Sequence, residues 1–358
     1  MNTIPTIFNE ALPSYTVVGG RERLASTGIS AVILNRSGRY PRRVFFQELE
    51  KAGFDYVVSV ENSPERYDLE ELTGRFPFAR FVLPQRRLNL GEQINLAATE
   101  VDSPLFFVLW NDLKILTCGG ARRMAERLGA GFDDDRNYGD EKNSLKKNGG
   151  ENGGENGSEE KSPLKRLCTI PVIQNSRFET LPTLVAPAFL KGKVRTLLFS
   201  PHNEEFDSLY PFDGIGIYDR ERFIRMMGFD TTLNSAHWQL MDFGFRAHLW
   251  GEEIRVSQQL RLSYDGESPS EDNTAEASYR RFYFKNLAPV FSGDHARLPF
   301  RKFLGFSLSS RSDPMAAWDD FSEAKRWVKK YSFRWRSDAR TLTERWPGIP
   351  REATLFRA

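Results

Sequence analysis

An amide and a carboxylate, Asn111 and Asp112, stand one residue (Trp110) behind five consecutive apolar residues, 105–109. Such a run suits a strand covered on both faces, as in a parallel sheet. Ligands of open parallel sheets bind outside the carboxyl ends of the strands, so Asp112 sits where a carboxylate can meet a substrate or a metal ion. A loop acid or helix cap is the plain alternative. Two earlier polar residues share this placement: Asn35 follows the strand-like segment 30–34, and Glu61 follows the strand-like segment 56–60. Capping at strand-to-helix turns is their alternative. Farther along, Asp242 precedes Arg246 by four residues, the spacing of an ion pair on a helix. Asp265 stands before Gly266, where a turn favours an acid.

Strand ends can share a rim only if a scaffold gathers them, and the patterning predicts one. Val44, Phe45, Leu49 and Ala52 recur at helical spacing before Gly53. An acidic helix is expected at about 65–72, a strand at 79–83 stopped by Pro84, and a helix at 90–98. Strands alternating with helices in this way indicate a doubly wound parallel sheet. The Gly-x-Gly-x-x-Gly fingerprint of dinucleotide binders is absent. Strand-like segments follow at 167–173, at 183–189 with 194–199 (an antiparallel addition to the sheet), at 210–218 and at 254–262. Helices are expected at 220–227 and from 237 to about 251. The predicted fold class is α/β: a mostly parallel sheet flanked by helices, a small antiparallel addition and a C-terminal helical extension. Its expected parts are an N-terminal extension 1–27, a main domain 28–298 and an extension 299–358. Residues 133–163, with their Asn-Gly-Gly-Glu repeats, read as a low-complexity insertion, and Asp133–Asp135 as a solvated charge run.

The chain has 358 residues, 40% hydrophobic and 27% charged, with a net charge of +2. That balance argues against wholesale nucleic-acid binding. Cys118 and Cys168 alone make neither a disulfide framework nor a metal array, so a reducing compartment is expected. The N-terminus lacks a signal-peptide pattern, and no apolar run approaches the roughly 18 residues of a membrane span. A cytoplasmic location is therefore expected. Peripheral contact at the inner membrane face would come through the C-terminal helix. There Met315, Trp318, Phe321, Ala324, Trp327, Val328 and Tyr331 form a stripe, flanked by Lys325, Arg326, Lys329 and Lys330. Packing of that stripe on its own domain is the alternative.

Taken in order, these parts resemble a family 2 glycosyltransferase domain of the GT-A (Rossmann-like) type. The signs are a strand ending in Asn35, a strand ending in Glu61, Asn89-x-Gly91-x-x-x-Asn95, and a strand ending near Asp112. The second half adds Gly214-x-Gly216, Gly228-Phe229-Asp230, Trp238-x-x-x-Asp242-x-x-x-Arg246, Gly251 and the segment 279–286. The resemblance implies an inverting transfer from a nucleotide-diphosphate sugar to a glycan or lipid-linked acceptor, with Mn²⁺ or Mg²⁺. A departing diphosphate needs a cation beside it, and the acceptor hydroxyl needs a base. The family's Asp-x-Asp falls on Trp110-Asn111-Asp112, which keeps only the second acid; its Glu-Asp pair falls on Gln239-Leu240. The resemblance thus leaves Asp242 as catalytic base and Asp112 with Asp265 as metal ligands. It implies nucleotide contacts at Asn35, Glu61, Asn95 and Asn111, and an acceptor pocket at His237 and Trp238. Arg86 and Arg87 can meet phosphate. The missing acids keep open a catalytically degenerate binding or scaffold protein of the same fold. A sugar-nucleotidyltransferase ranks last, because Asn35-Arg36-Ser37-Gly38 is sparse for its glycine-rich loop.

Overall fold

Long apolar runs become strands here because both of their faces are covered; every residue of Ile29–Leu34, Val57–Val60 and Leu105–Trp110 is buried. The computed structural model describes residues 12–20, 23–36, 42–62, 69–116, 120–128, 166–190, 193–201, 206–266, 269, 274, 277–310 and 313–347. The expected insertion 133–163 lies outside the described residues. In chain order, the first half comprises Tyr15–Gly19 (β1), Ile29–Leu34 (β2), Arg42–Ala52 (α1), Val57–Val60 (β3) and Leu69–Arg75 (α2). Ala79–Pro84 (β4), Leu90–Thr99 (α3), Leu105–Trp110 (β5), Leu113–Ile115 (β6) and Gly120–Arg127 (α4) complete it. The second half opens with Cys168–Gln174 (β7), Leu184–Leu190 (β8), Lys193–Phe199 (β9), Gly216–Asp219 (β10) and Arg220–Arg225 (α5). Ala236–Leu249 (α6), Ile254–Tyr264 (β11), Ala277–Phe282 (α7), Val290–Ser292 (β12) and His295–Arg297 (β13) follow. Phe300–Ser309 (α8), Pro314–Tyr331 (α9) and Ala339–Glu344 (α10) end the described chain.

The main sheet has nine strands in the order β1-β4-β3-β2-β5-β10-β7-β11-β6. Strands β2, β3, β4, β5, β7 and β11 run one way; β1, β6 and β10 run the other. The predicted α/β class with a mostly parallel sheet is therefore what the chain forms. Two details differ from expectation. The sheet begins inside the expected N-terminal extension, because Tyr15–Gly19 pairs antiparallel with β4. Among the described residues, hairpin β8–β9 forms a separate two-stranded antiparallel sheet and does not extend the main one.

Register decides what the sheet can do. Leu34 is opposite Val60 on one side and opposite Trp110 on the other. Three strands therefore end flush, and the next residue of each, Asn35, Glu61 and Asn111, reaches the same rim. Helix α3 starts beside it, closed by a capping box in which Asn89 and Glu92 exchange bonds with each other's backbone.

Helices α8 to α10 pack onto the same body. Trp250 stacks on Trp327 at 5.6 Å, and Phe321, Ala324 and Val328 are buried. Most of the α9 stripe is thus spent on packing, the alternative to a membrane face, and exposed large apolar side chains of this extension include Phe300, Leu304, Leu308, Met315, Trp318 and Phe333. Among the described residues, no helix is long and apolar enough to cross a membrane.

Helix α6 lies so close to the segment before β10 that only glycine fits at position 244. A Cβ there would stand 2.2 Å from the Leu209 carbonyl oxygen, a backbone atom that cannot step aside. Gly244→Ala is expected to cost about 3 kcal/mol in urea denaturation, as overpacking does. Gly74→Ala on α2, with nothing nearby, should shift stability by no more than about 1 kcal/mol. Equal effects would contradict this packing.

Candidate functional site

Side chains at the flush strand ends are tied to one another. Asn35 Nδ2 donates to Ser59 Oγ at 3.1 Å and to the Val60 carbonyl at 2.9 Å. Ser59 Oγ in turn donates to Glu61 Oε1 at 2.8 Å. Across the other neighbour, the Arg36 backbone N–H donates to Asn111 Oδ1 at 3.1 Å. Four residues singled out in the sequence, Asn35, Glu61, Asn111 and Asp112, thus share one rim.

The centre of that rim is a residue the sequence reading passed over. Arg36 Nε lies 2.9 Å from Asp112 Oδ2, and its Nη2 pairs with Asp213 Oδ2. The guanidinium sits 4.0 Å over the centroid of Trp110, with the Tyr264 ring 6.0 Å away. Such stacking adds attraction beyond the ion pairs. Tyr264 Oη donates to Asp213 Oδ2 at 3.0 Å, and Trp110 Nε1 donates to the Asp213 carbonyl at 3.0 Å. These bonds hold Asp213 at φ 57°, a left-handed conformation that strains a residue with a Cβ. Strain of that kind persists only where surroundings impose it.

Burial dominates the electrostatics. It lifts the Asp213 carboxyl to about 6, with Arg36 and the Tyr264 hydroxyl pulling against it. Burial also raises Asp112, again opposed by Arg36. Tyr264 is pushed far up by burial and by the neighbouring Asp213. Arg36 is held charged: burial works against the guanidinium, but Asp213 and Asp112 outweigh it.

Other expected site residues lie elsewhere. Asp242 is fully buried on α6, 3.0 Å from Arg246 Nη2, 2.9 Å from Lys285 Nζ and 2.7 Å from Asn286 Nδ2. Arg246 also donates to the Met226 and Gly228 carbonyls, and Lys285 pairs with Asp230 at 2.7 Å. Burial would raise Asp230, but Lys285 reverses that and its carboxyl ends well below the usual range. Asp242 is therefore the hub of a buried ion network that shares no partner with Asp112. A base must reach the proton it takes, and here the Asp242 carboxylate is occupied by Arg246, Lys285 and Asn286. Asn95 spends both ends of its amide on the Phe229 backbone, at 2.9 Å each, so it anchors a loop and does not face a nucleotide. Gln239, in the acid position of the motif, accepts from Gly91 N at 2.9 Å and donates to the Leu233 carbonyl at 2.7 Å. His237 meets Tyr210 edge-on, and Trp238 packs against Tyr279 and Phe282; both are buried side chains of the α6 core. Arg86 is paired with Glu92.

The two carboxylates expected to hold a metal do not make a metal site. Hard divalent cations gather about six oxygens. Asp112 faces Arg36, while Asp265, at the end of β11, is paired with Lys114 Nζ at 2.5 Å. Asp265 touches Asp112 only through its backbone N–H, which donates to the Asp112 carbonyl at 2.8 Å. Among the described residues, no three His, Cys, Asp or Glu side chains group as metal ligands.

No protein-family model and no curated protein matches the sequence. Solved structures do align. A crystal structure of GalNAc-T7 with UDP, GalNAc and Mn²⁺ is 12% identical, with a TM-score of 0.48, over 90% of this chain and 58% of that one. TarS of S. aureus is 11% identical at a TM-score of 0.42, over 83% of this chain and 42% of that one. The mannosyltransferase PcManGT of Pyrobaculum calidifontis, with GDP-Man and Mn²⁺, is 10% identical at 0.40, over 88% and 73%. This chain therefore spans about half the length of the first two.

Two outcomes follow from the charge placement. Asp242→Ala strands two buried cations and is expected to cost 3–5 kcal/mol (about 4) in chemical denaturation, whereas exposed Asp265→Ala should cost under about 0.5 kcal/mol. An Asp242→Ala protein as stable as wild type would refute the network. For Asp213, a carboxyl raised from 3.8 to about 6 contributes stability that is full below the lower value and lost as pH climbs through the higher. The stability of wild type relative to Asp213→Asn should therefore fall by up to about 3 kcal/mol between about pH 4 and pH 7, at 1.36 kcal/mol per unit. A flat difference would contradict the burial.

Proposed function

We propose that the chain is a GT-A-type glycosyltransferase whose nucleotide-diphosphate-sugar donor sits on the rim of β2, β3 and β5. One observation carries this reading: the shared register that lines up Asn35, Glu61 and Asn111 beside Asp112. A carboxylate and two amides offer acceptors and donors together, the mixture that a base and a ribose require. Open parallel sheets bind ligands at this end. Arg36 supplies positive charge where the diphosphate would lie. Asp213 replaces Asp242 as the base of an inverting displacement on this reading. It stands on the rim with a carboxyl at about 6, close to the neutral value at which a base works best. The acceptor is a hydroxyl of a glycan or lipid-linked saccharide.

A second reading, a sugar-nucleotide-binding or scaffold protein without turnover, is favoured by Gln239 and Leu240 in the acid positions and by the enclosure of Asp242. Titration calorimetry with UDP and GDP tests the shared premise. Wild type should bind one of them, and Glu61→Ala should bind it about 10- to 100-fold more weakly, the loss of a hydrogen bond to a charged group. Binding of neither nucleotide sinks both readings. Donor turnover abolished in Asp213→Asn, with nucleotide binding kept, selects the transferase.

A further inference from the structure

Among the described residues, the three carboxylates Asp112, Asp213 and Asp265 are each met by a basic side chain. Arg36 lies between Asp112 and Asp213, and Lys114 covers Asp265. The guanidinium is built in: its backbone N–H is fixed to Asn111, its plane lies on Trp110, and its carboxylate partner Asp213 is held by Tyr264. Asp112 Oδ1, buried and without a hydrogen-bond partner, points to a ligand that the rim is made to receive. A divalent ion brought to Asp112 would meet the fixed charge of Arg36 at contact distance. Among the described residues, no three His, Cys, Asp or Glu side chains group there to complete its shell.

We propose that Arg36 is a built-in substitute for a divalent cation, so that a donor diphosphate meets the guanidinium and not a metal ion. The inference rests on the nucleotide-sugar reading for its ligand, but not for its claim about metal. Arginine suits the task. It is always charged, and its planar fork offers five donors that match phosphate oxygens. Here Nε faces Asp112 and Nη2 faces Asp213, while among the described residues Nη1 has no partner. Both carboxylates form the seat that fixes the fork; Asp112 is a positioning group, and Asp213 does this besides serving as the proposed base. In a metal-dependent site the same two acids would hold the ion directly. Removing the guanidinium should therefore turn its seat into a metal site.

The test uses the full chain and Mn²⁺ alone, followed by electron paramagnetic resonance of the free ion. Wild type should bind Mn²⁺ no better than Asp112→Asn does. Arg36→Met should gain an ion at least about tenfold tighter, a 1.4 kcal/mol difference, and lose it again when Asp112→Asn is added. UDP and GDP titrations in EDTA and in Mn²⁺ form a second arm that needs no variant. Wild-type affinity should agree in the two buffers within about twofold, under 0.5 kcal/mol. The proposal is overturned if wild type binds Mn²⁺ in an Asp112-dependent way, or if Mn²⁺ tightens the nucleotide about tenfold or more. It is equally overturned if a folded Arg36→Met gains no ion. Nucleotide bound in neither buffer would end the nucleotide-sugar reading, while the Mn²⁺ titration alone still decides the role of Arg36.

Discussion

A guanidinium seated between two buried carboxylates sets the character of this protein's rim. Charges taken out of water are costly, and they persist only when geometry supplies a partner for each. Arg36 meets that condition through Asp112, Asp213 and the face of Trp110. The three groups come from different parts of the chain: the end of β2, the end of β5, and the turn before β10. Their meeting depends on the sheet order, which places β2 beside β5 and β5 beside β10. Loss of the flush register would move each side chain to another face or level.

A second buried ion network, around Asp242, shows the same rule applied to a different end. Arg246, Lys285 and Asn286 close on one carboxylate and knit α6 to the turn that follows α7 and to the loop after α5. The network holds the helix whose tight approach to Leu209 positions the Asp213 turn. The two clusters therefore differ in place. One lies inside the scaffold, and the other lies at the strand-end rim. Asp242 spends its carboxylate on two cations and an amide, however well its spacing matches a family motif.

Much of the fold was legible because β-branched and aromatic runs ending in polar residues announce buried parallel strands. Asn35, Glu61 and the pair Asn111-Asp112 could be picked from that pattern, since each stands just past the end of such a run. Neither the reversal of β10 nor the separation of hairpin β8–β9 could be read, because periodicity reports a strand and not its direction or partner. Arg36 stood out only as part of the sparse loop 35–38, and Asp213 lay unremarked in the strand-like segment 210–218. Their signal was compositional: Asp213 is the lone charge in the otherwise uncharged stretch 208–218, and a buried charge demands a partner. Asp242 and Asn95 went the other way. They fit a motif by spacing, but hydrogen-bond saturation, invisible in one dimension, assigns them to packing.

The central claim is that the rim carries its own cation. The most direct measurement is a crystal structure of the protein grown with Mn²⁺ and a nucleoside diphosphate, with data collected at the manganese absorption edge. The account predicts guanidinium density between Asp112 and Asp213, a phosphate oxygen on Arg36, and no anomalous peak at the rim. A manganese peak on Asp112, with Arg36 swung away, would contradict it.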